Sequence, residues 1–204
     1  MNARFAPSLA LSLLFALAAS AAGPPFPALT VEYSADRTMD SEAGAFTGKV
    51  HVAGQKQRSE MNMGGMQSVM ILRGDTQAGY MLMPAQKMAM ALGYSEARQQ
   101  SPSGPPDDVS ISTVGDETIE GFATTKYKLL MKDGSAGGFI WISREGIIMK
   151  MDMLQKERGK KSRMTLTLKN VKIGRQDAAL FEVPKDYAQM PNMGGFMPGM
   201  RPRN

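Results

Sequence analysis

Residues 127–149, YKLLMKDGSAGGFIWISREGIIM, contain two strand–turn–strand patterns in succession. Lys132-Asp133-Gly134-Ser135 separates Tyr127-Lys128-Leu129-Leu130 from Phe139-Ile140-Trp141-Ile142, and Arg144-Glu145-Gly146 separates that run from Ile147-Ile148-Met149. Gly-containing turns between short aromatic and β-branched runs mark hairpins, so consecutive strands here are neighbours in an antiparallel sheet. The two-residue period puts Phe139, Trp141 and Ser143 on one face and Ile140 and Ile142 on the other. Apolar groups on both faces imply that this hairpin is covered on both sides, or lines a cavity on one.

The same pattern extends in both directions. Strands are expected at Leu29 to Thr38, Phe46 to Ala53, Gln55 to Met63, Ser68 to Arg73, Gly79 to Met83 and Lys87 to Leu92. A second group is expected at Val109 to Val114, Phe122 to Met131, Phe139 to Ser143, Ile147 to Gln155 and Ser162 to Ile173. The fold class is therefore mainly β, an antiparallel sheet of about 10–11 strands with one or two short helices. One short helix is expected at Tyr94 to Gln100, ahead of the helix-breaking Ser101-Pro102-Ser103-Gly104-Pro105-Pro106. That Pro-rich stretch reads as a loop inside one domain, because halves of about 80 residues without cysteine bury too little to fold alone.

The amino terminus has the three parts of a cleaved secretory signal at 1–22: Arg4, the apolar run Leu9 to Ala19, and Ser20-Ala21-Ala22 before Gly23. The apolar run falls short of the ~20 residues that span a bilayer. A single domain is expected at 23–188, and a Met/Gly/Pro-rich tail at 189–204. With no cysteine the chain has neither a lipid-acceptor thiol nor a disulfide. The expectation is a soluble, monomeric protein that is periplasmic or otherwise secreted. Lys and Arg number 24 against 19 Asp and Glu, a mild excess that suits peripheral contact with anionic head groups or an envelope protein rather than nucleic acid.

Catalysis needs positioned acids, bases or nucleophiles, and the supply is poor. His51 is the only histidine and sits between Val50 and Val52, on the solvated side of a strand. GxSxG, Walker A and GxGxxG are absent, and Asp107-Asp108 and Asp116-Glu117 read as turn acids. Lys156, Arg158, Lys160, Lys161 and Arg163 surround Gly159 in an expected hairpin tip, a solvated turn with some capacity for anionic lipid. No enzymatic activity is expected.

Fourteen of the nineteen methionines fall into two populations. Met81 with Met83, Met88 with Met90, and Met149 with Met151 and Met153 alternate along strands and line an apolar interior, whose unbranched thioethers adapt to varied hydrophobic ligands. Met61, Met63 and Met66, with Met190, Met193, Met197 and Met200, lie among Gly, Pro and Asn. Clustered thioethers select Cu(I), so these seven form the alternative reading, a periplasmic Cu(I) chaperone or buffer. No other cofactor is expected.

From Gly48 onward the chain resembles the outer-membrane lipoprotein-sorting carriers (the Lol carriers) and their Met-rich exported relatives. The resemblance rests on the order of Gly48-Lys49-Val50-His51-Val52, Lys56-Gln57-Arg58-Ser59-Glu60, Met70-Ile71-Leu72-Arg73 and Tyr80-Met81-Leu82-Met83-Pro84. It continues through Ile119-Glu120-Gly121-Phe122 and Phe139-Ile140-Trp141-Ile142, then Leu168-Lys169-Asn170-Val171-Lys172-Ile173 and Leu180-Phe181-Glu182-Val183-Pro184-Lys185-Asp186-Tyr187. What the resemblance implies is a strongly curved, unclosed half-barrel whose concave face holds a lipid or a lipoprotein acyl chain. Candidate lining residues are Met81, Met83, Leu130, Trp141, Met149, Met151 and Met153. A third reading is an envelope-stress or assembly module that binds another protein.

Overall fold

The computed structural model describes residues 26–42, 44–95, 97, 109–157 and 160–190. The expected signal at 1–22, the Pro-rich loop and most of the tail lie outside the described residues.

Six strands form a first meander: β1 (Tyr33–Ser41), β2 (Gly44–Ala53), β3 (Lys56–Met63), β4 (Met66–Arg73), β5 (Ala78–Met83) and β6 (Met88–Gly93). A second runs through β7 (Val109–Ile119), β8 (Phe122–Met131), β9 (Ala136–Ser143), β10 (Ile148–Glu157) and β11 (Lys160–Ile173). β1 pairs with β11 and joins the two meanders into one curved, unclosed sheet in the order β12-β6-β5-β4-β3-β2-β1-β11-β10-β9-β8-β7. Tight turns drive the meanders. At Glu120-Gly121 and at Gly64-Gly65 both central residues have positive φ, the twist that joins antiparallel strands through two residues.

Three elements differ from the sequence expectation. β7 continues to Ile119 past an irregularity between Thr113 and Gly115, so Asp116 and Glu117 are strand residues opposite Thr125 and Thr124, not turn acids. β1 begins at Tyr33 rather than Leu29, because Thr30 N–H bonds the carbonyl of Glu145 in the β9–β10 turn instead of a strand. β12 (Ala188–Met190) pairs in parallel with β6 and takes in Gln189 and Met190. The helical turn expected at Tyr94 begins there, with Tyr94, Ser95 and Ala97 helical; its remainder lies outside the described residues.

The register sorts side chains onto two faces. One carries Tyr33, Ala35 and Arg37 of β1, Val50 and Val52 of β2, Met70 and Leu72 of β4, Leu166 and Leu168 of β11, and Ile140 and Ile142 of β9. Phe26 of the amino-terminal lead packs edge-on against Tyr127 on this face, and Ala97 is buried against Met70, Leu72 and Leu92. The opposite face is basic and wet over β1, β2, β10 and β11, but over β4–β6 it carries Val69, Ile71, Leu82 and Ala89. The carboxy-terminal segment crosses there as a strap. Phe181 is buried, Val183 and Tyr187 pack on the cluster, and Arg58 donates to the Leu180 carbonyl.

Candidate functional site

A cavity of about 210 Å³ lies on the first face. Its walls come from five adjacent strands, with Tyr33 (β1), Val50 and Val52 (β2), Gln57 (β3), Ile148 and Met151 (β10), and Leu166 and Leu168 (β11). This face buries Tyr33, Ala35, Val50, Val52, Leu166 and Leu168, whereas the opposite face over the same strands carries Lys49, His51 and Lys172, so it is the inner, concave one of the curved sheet. Leu29 and Gly146 close one side, where the lead crosses the β9–β10 turn. A Cβ at Gly146 would lie 2.4 Å from the Ala28 carbonyl oxygen, so the missing side chain is what lets the lead settle there. Among the described residues Arg37 is the one charged group in the lining.

The strand methionines are distributed along this face. Met81 and Met83 share it with Met70, and Met151 and Met153 share it with Leu166 and Met164. Met149, next to the β10 irregularity, is fully buried with Tyr33, Val50 and Leu168. Of the seven residues expected to line a ligand site, Met151 reaches the cavity wall. Trp141 and Leu130 lie on the opposite, convex face, in register with Lys126, Lys150 and Gly137.

Trp141 is nonetheless buried, because cations cover it. Lys126 Nζ and Lys150 Nζ sit 4.8 and 4.6 Å from its ring centroid, and its indole N–H donates to Glu117 Oε2 at 2.7 Å. That hydrogen bond first, then one from Lys126, holds the Glu117 carboxyl below the usual carboxylate range. A depressed folded-state value stabilises above the unfolded value, and the stabilisation disappears as pH falls through the folded one. Trp141, the sole tryptophan, should therefore change emission only below about pH 4.3, the ordinary glutamate value. Glu117→Gln should abolish that acid transition; an identical titration in the variant would rule the contact out as its source.

Of the thioethers considered for Cu(I), Met61 lies in β3 and Met66 in β4, with Met63 opposite Met66 across the Gly64-Gly65 turn. Met190 stands beside Met90, continuing a row Met70, Met81, Met90, Met190 across four strands. Met193, Met197 and Met200 lie outside the described residues, as do Asp107, Asp108, Arg158 and Gly159. His51 is on the convex face, its Nδ1 2.9 Å from Gln176 Oε1. Among the described residues no cluster of three His, Asp or Glu side chains is assembled. Arg163, in the basic hairpin, pairs with Asp152 on β10.

Residues 35–151 match the family model described as a domain of unknown function, DUF4412. The chain belongs to the DUF4412 family. The matched segment runs from Ala35 in β1 to Met151 in β10, so the DUF4412 region itself supplies Arg37, Val50 and Val52 to the cavity, whereas Leu166, Leu168 and the strap lie beyond it. No curated protein matches the sequence.

Several solved structures share the fold. An uncharacterized conserved protein from Thermus thermophilus superposes with a TM-score of 0.57 at 13% identity, covering 80% of this chain and 92% of that one. A chain of the Pseudomonas aeruginosa MucA/MucB complex gives 0.53 at 13% identity, covering 78% of this chain and 58% of its own length. A LolA superfamily protein from Nitrosomonas europaea gives 0.41 at 10% identity, covering 77% and 92%. Among the described residues no helix is long and apolar enough to cross a membrane.

Proposed function

We propose that this DUF4412 protein is an exported, non-enzymatic binding protein that holds an acyl-bearing ligand, a lipid or the acyl chain of a lipoprotein, on the concave face of its sheet. The observation that supports this most directly is the largely apolar cavity opening between β3, β2, β1, β11 and β10. A filled core would have no such space, since protein interiors pack at close to crystalline density. The strand methionines extend the same face towards β5 and β6, giving a surface that repacks around different chains. Export rests on the signal pattern at 1–22.

Burial of apolar surface at roughly 25 cal/mol per Å², less the cost of ordering the ligand, would drive binding. Protein isolated from the periplasm should carry co-purifying lipid in native mass spectrometry, and delipidated protein should take up a fluorescent fatty acid saturably. Absence of both results would remove this reading.

A second reading is a protein-binding module, favoured by the MucA/MucB neighbour and by the mostly exposed edge strand β7, whose outer hydrogen-bonding groups are open to another strand. Pull-down from envelope extract that succeeds with delipidated protein, together with failure of lipid uptake, would favour it.

A further inference from the structure

Arg37 occupies the third inward position of β1, after Tyr33 and Ala35, and is only 6% exposed. Its guanidinium donates through Nη1 to Ser59 Oγ at 3.3 Å and through Nη2 to the Glu60 carbonyl at 3.5 Å. Both acceptors are neutral and both distances are long for N–H···O bonds, whose usual length is about 2.9 Å. Ser59 Oγ also accepts from Gln57 Nε2 at 3.0 Å, so it is shared.

Among the described residues Arg37 makes no ion pair. Arg58, Arg73 and Arg163, by contrast, each pair with a carboxylate. The acids nearest to Arg37 are turned away. Asp36 faces Lys49 and Asn170 on the convex side, and the Glu60 carboxylate is engaged by Arg58. Tyr33 supplies no counter-charge either, since burial pushes its phenol up to about 12 and keeps it neutral. A cation taken out of water is costly unless an anion compensates it. In this site the uncompensated cation faces the cavity.

The surroundings are built around that guanidinium. Gly48 stands opposite Arg37 on β2, and a Cβ there would lie 1.8 Å from the Glu60 carbonyl oxygen that accepts from Nη2. Apart from the amide of Gln57, the wall around Arg37 among the described residues is mostly apolar, with Tyr33, Val50, Val52, Met151, Leu166 and Leu168. One flat, singly charged fork at the edge of an apolar space matches a carboxylate, which guanidinium binds with two parallel hydrogen bonds. A phosphate dianion would call for a second cation, and among the described residues the lining has none. The cavity holds on the order of seven water volumes and is smaller than the roughly 300–1,000 Å³ of drug-sized sites, so it suits a single alkyl chain, not several.

We infer that the cavity takes a single-chain carboxylic acid of the fatty-acid type, with its carboxylate on the Arg37 guanidinium and its alkyl chain between β2 and β10. This rests on the acyl-binding reading above and adds the ligand's head group to it.

The test is displacement of a fluorescent acyl probe from the delipidated mature protein by decanoate, decanol and decyltrimethylammonium. Decanoate is expected to compete about 10–100-fold better than decanol, the margin of a charge-assisted hydrogen bond, with the ammonium weakest. Arg37→Met should erase that margin while leaving decanol competition intact, and Arg37→Lys should retain part of it. Circular dichroism checks the fold of each variant; should Arg37→Met fail to fold, the wild-type ranking and Arg37→Lys still decide. Equal competition by decanoate and decanol in the wild type overturns the head-group assignment and leaves acyl binding standing. Failure of every ligand to displace the probe, or of the probe to bind, overturns acyl binding itself.

Discussion

Phe181→Ala is expected to cost about 3–5 kcal/mol of folding stability, the range for removing a large aromatic side chain from a filled site. Phe181 is 1% exposed, on the strap that crosses the convex face of β3 and β4. Val183 and Tyr187 are only partly buried on the cluster, and the ion pairs of the strap lie at its rim: Arg73 with Glu182, and Lys87 with Asp186 at 2.9 Å. Exposed ion pairs of this kind contribute about 0–1 kcal/mol each, so the fully buried ring is the main anchor. Loss of the anchor also uncovers Val69, Ile71, Leu82 and Ala89 and frees β12 from β6.

Urea denaturation of Phe181→Ala beside Glu182→Gln separates the two contributions. Glu182→Gln should stay within about 1 kcal/mol of the parent. Hydrogen exchange should show the strap and β6 losing protection in Phe181→Ala before the β8–β9 hairpin does. A Phe181→Ala protein no less stable than Glu182→Gln would mean that the strap is not part of the cooperative fold.

Gly48→Ala and Gly138→Ala are each expected to cost about 3 kcal/mol or more, at the severe end for overpacked sites. A Cβ at Gly48 would lie 1.8 Å from the Glu60 carbonyl oxygen, and one at Gly138 would lie 2.1 Å from the Asp152 carbonyl oxygen. In both cases the obstacle is the backbone of the next strand, and no rotamer change relieves it. The strands would have to part, β2 from β3 or β9 from β10. Both glycines lie on the concave side, where curvature draws neighbouring backbones together.

Gly93→Ala is the control. It sits in β6 without a positive φ, and its Cβ would meet nothing within 4 Å. That change should be neutral, or stabilising by about 0.5 kcal/mol through the lost freedom of the unfolded chain. Denaturation midpoints compare the three variants. Gly48→Ala and Gly138→Ala proteins as stable as Gly93→Ala would show that the sheet relaxes at these positions, and that glycine is not what permits its curvature.

Where turn chemistry and alternation agree, the fold was legible in the sequence. Asp133-Gly134 fixed the β8–β9 hairpin, and Arg144-Glu145-Gly146 fixed the turn into β10. β12 was illegible, because three residues carry no period; it exists because Phe181 and Tyr187 deliver the chain to the β6 edge. Asp116 and Glu117 looked like turn residues by composition, yet Trp141 and Lys126 give Glu117 a strand partner from another part of the chain.

The cavity was legible only in part. The alternation that separates Trp141 from Ile140 and Ile142 is present in the sequence, but both sets are apolar. Two lysines covering the indole make its face the outer one. Arg37 left one usable signal, an arginine in phase with Tyr33 and Ala35 on the apolar side of its strand.

The sequence by itself determined the sheet, its meander order and its inward and outward alternation, because these follow from turn residues and a period of two acting over neighbours in the chain. The tertiary structure alone decided which face is concave, that Met190 of the tail joins the row of strand methionines, and that an arginine without an ion pair among the described residues faces the cavity. These depend on the pairing of β1 with β11 and on the strap, contacts between segments more than a hundred residues apart. Local periodicity carries no information about which distant surface a strand will meet.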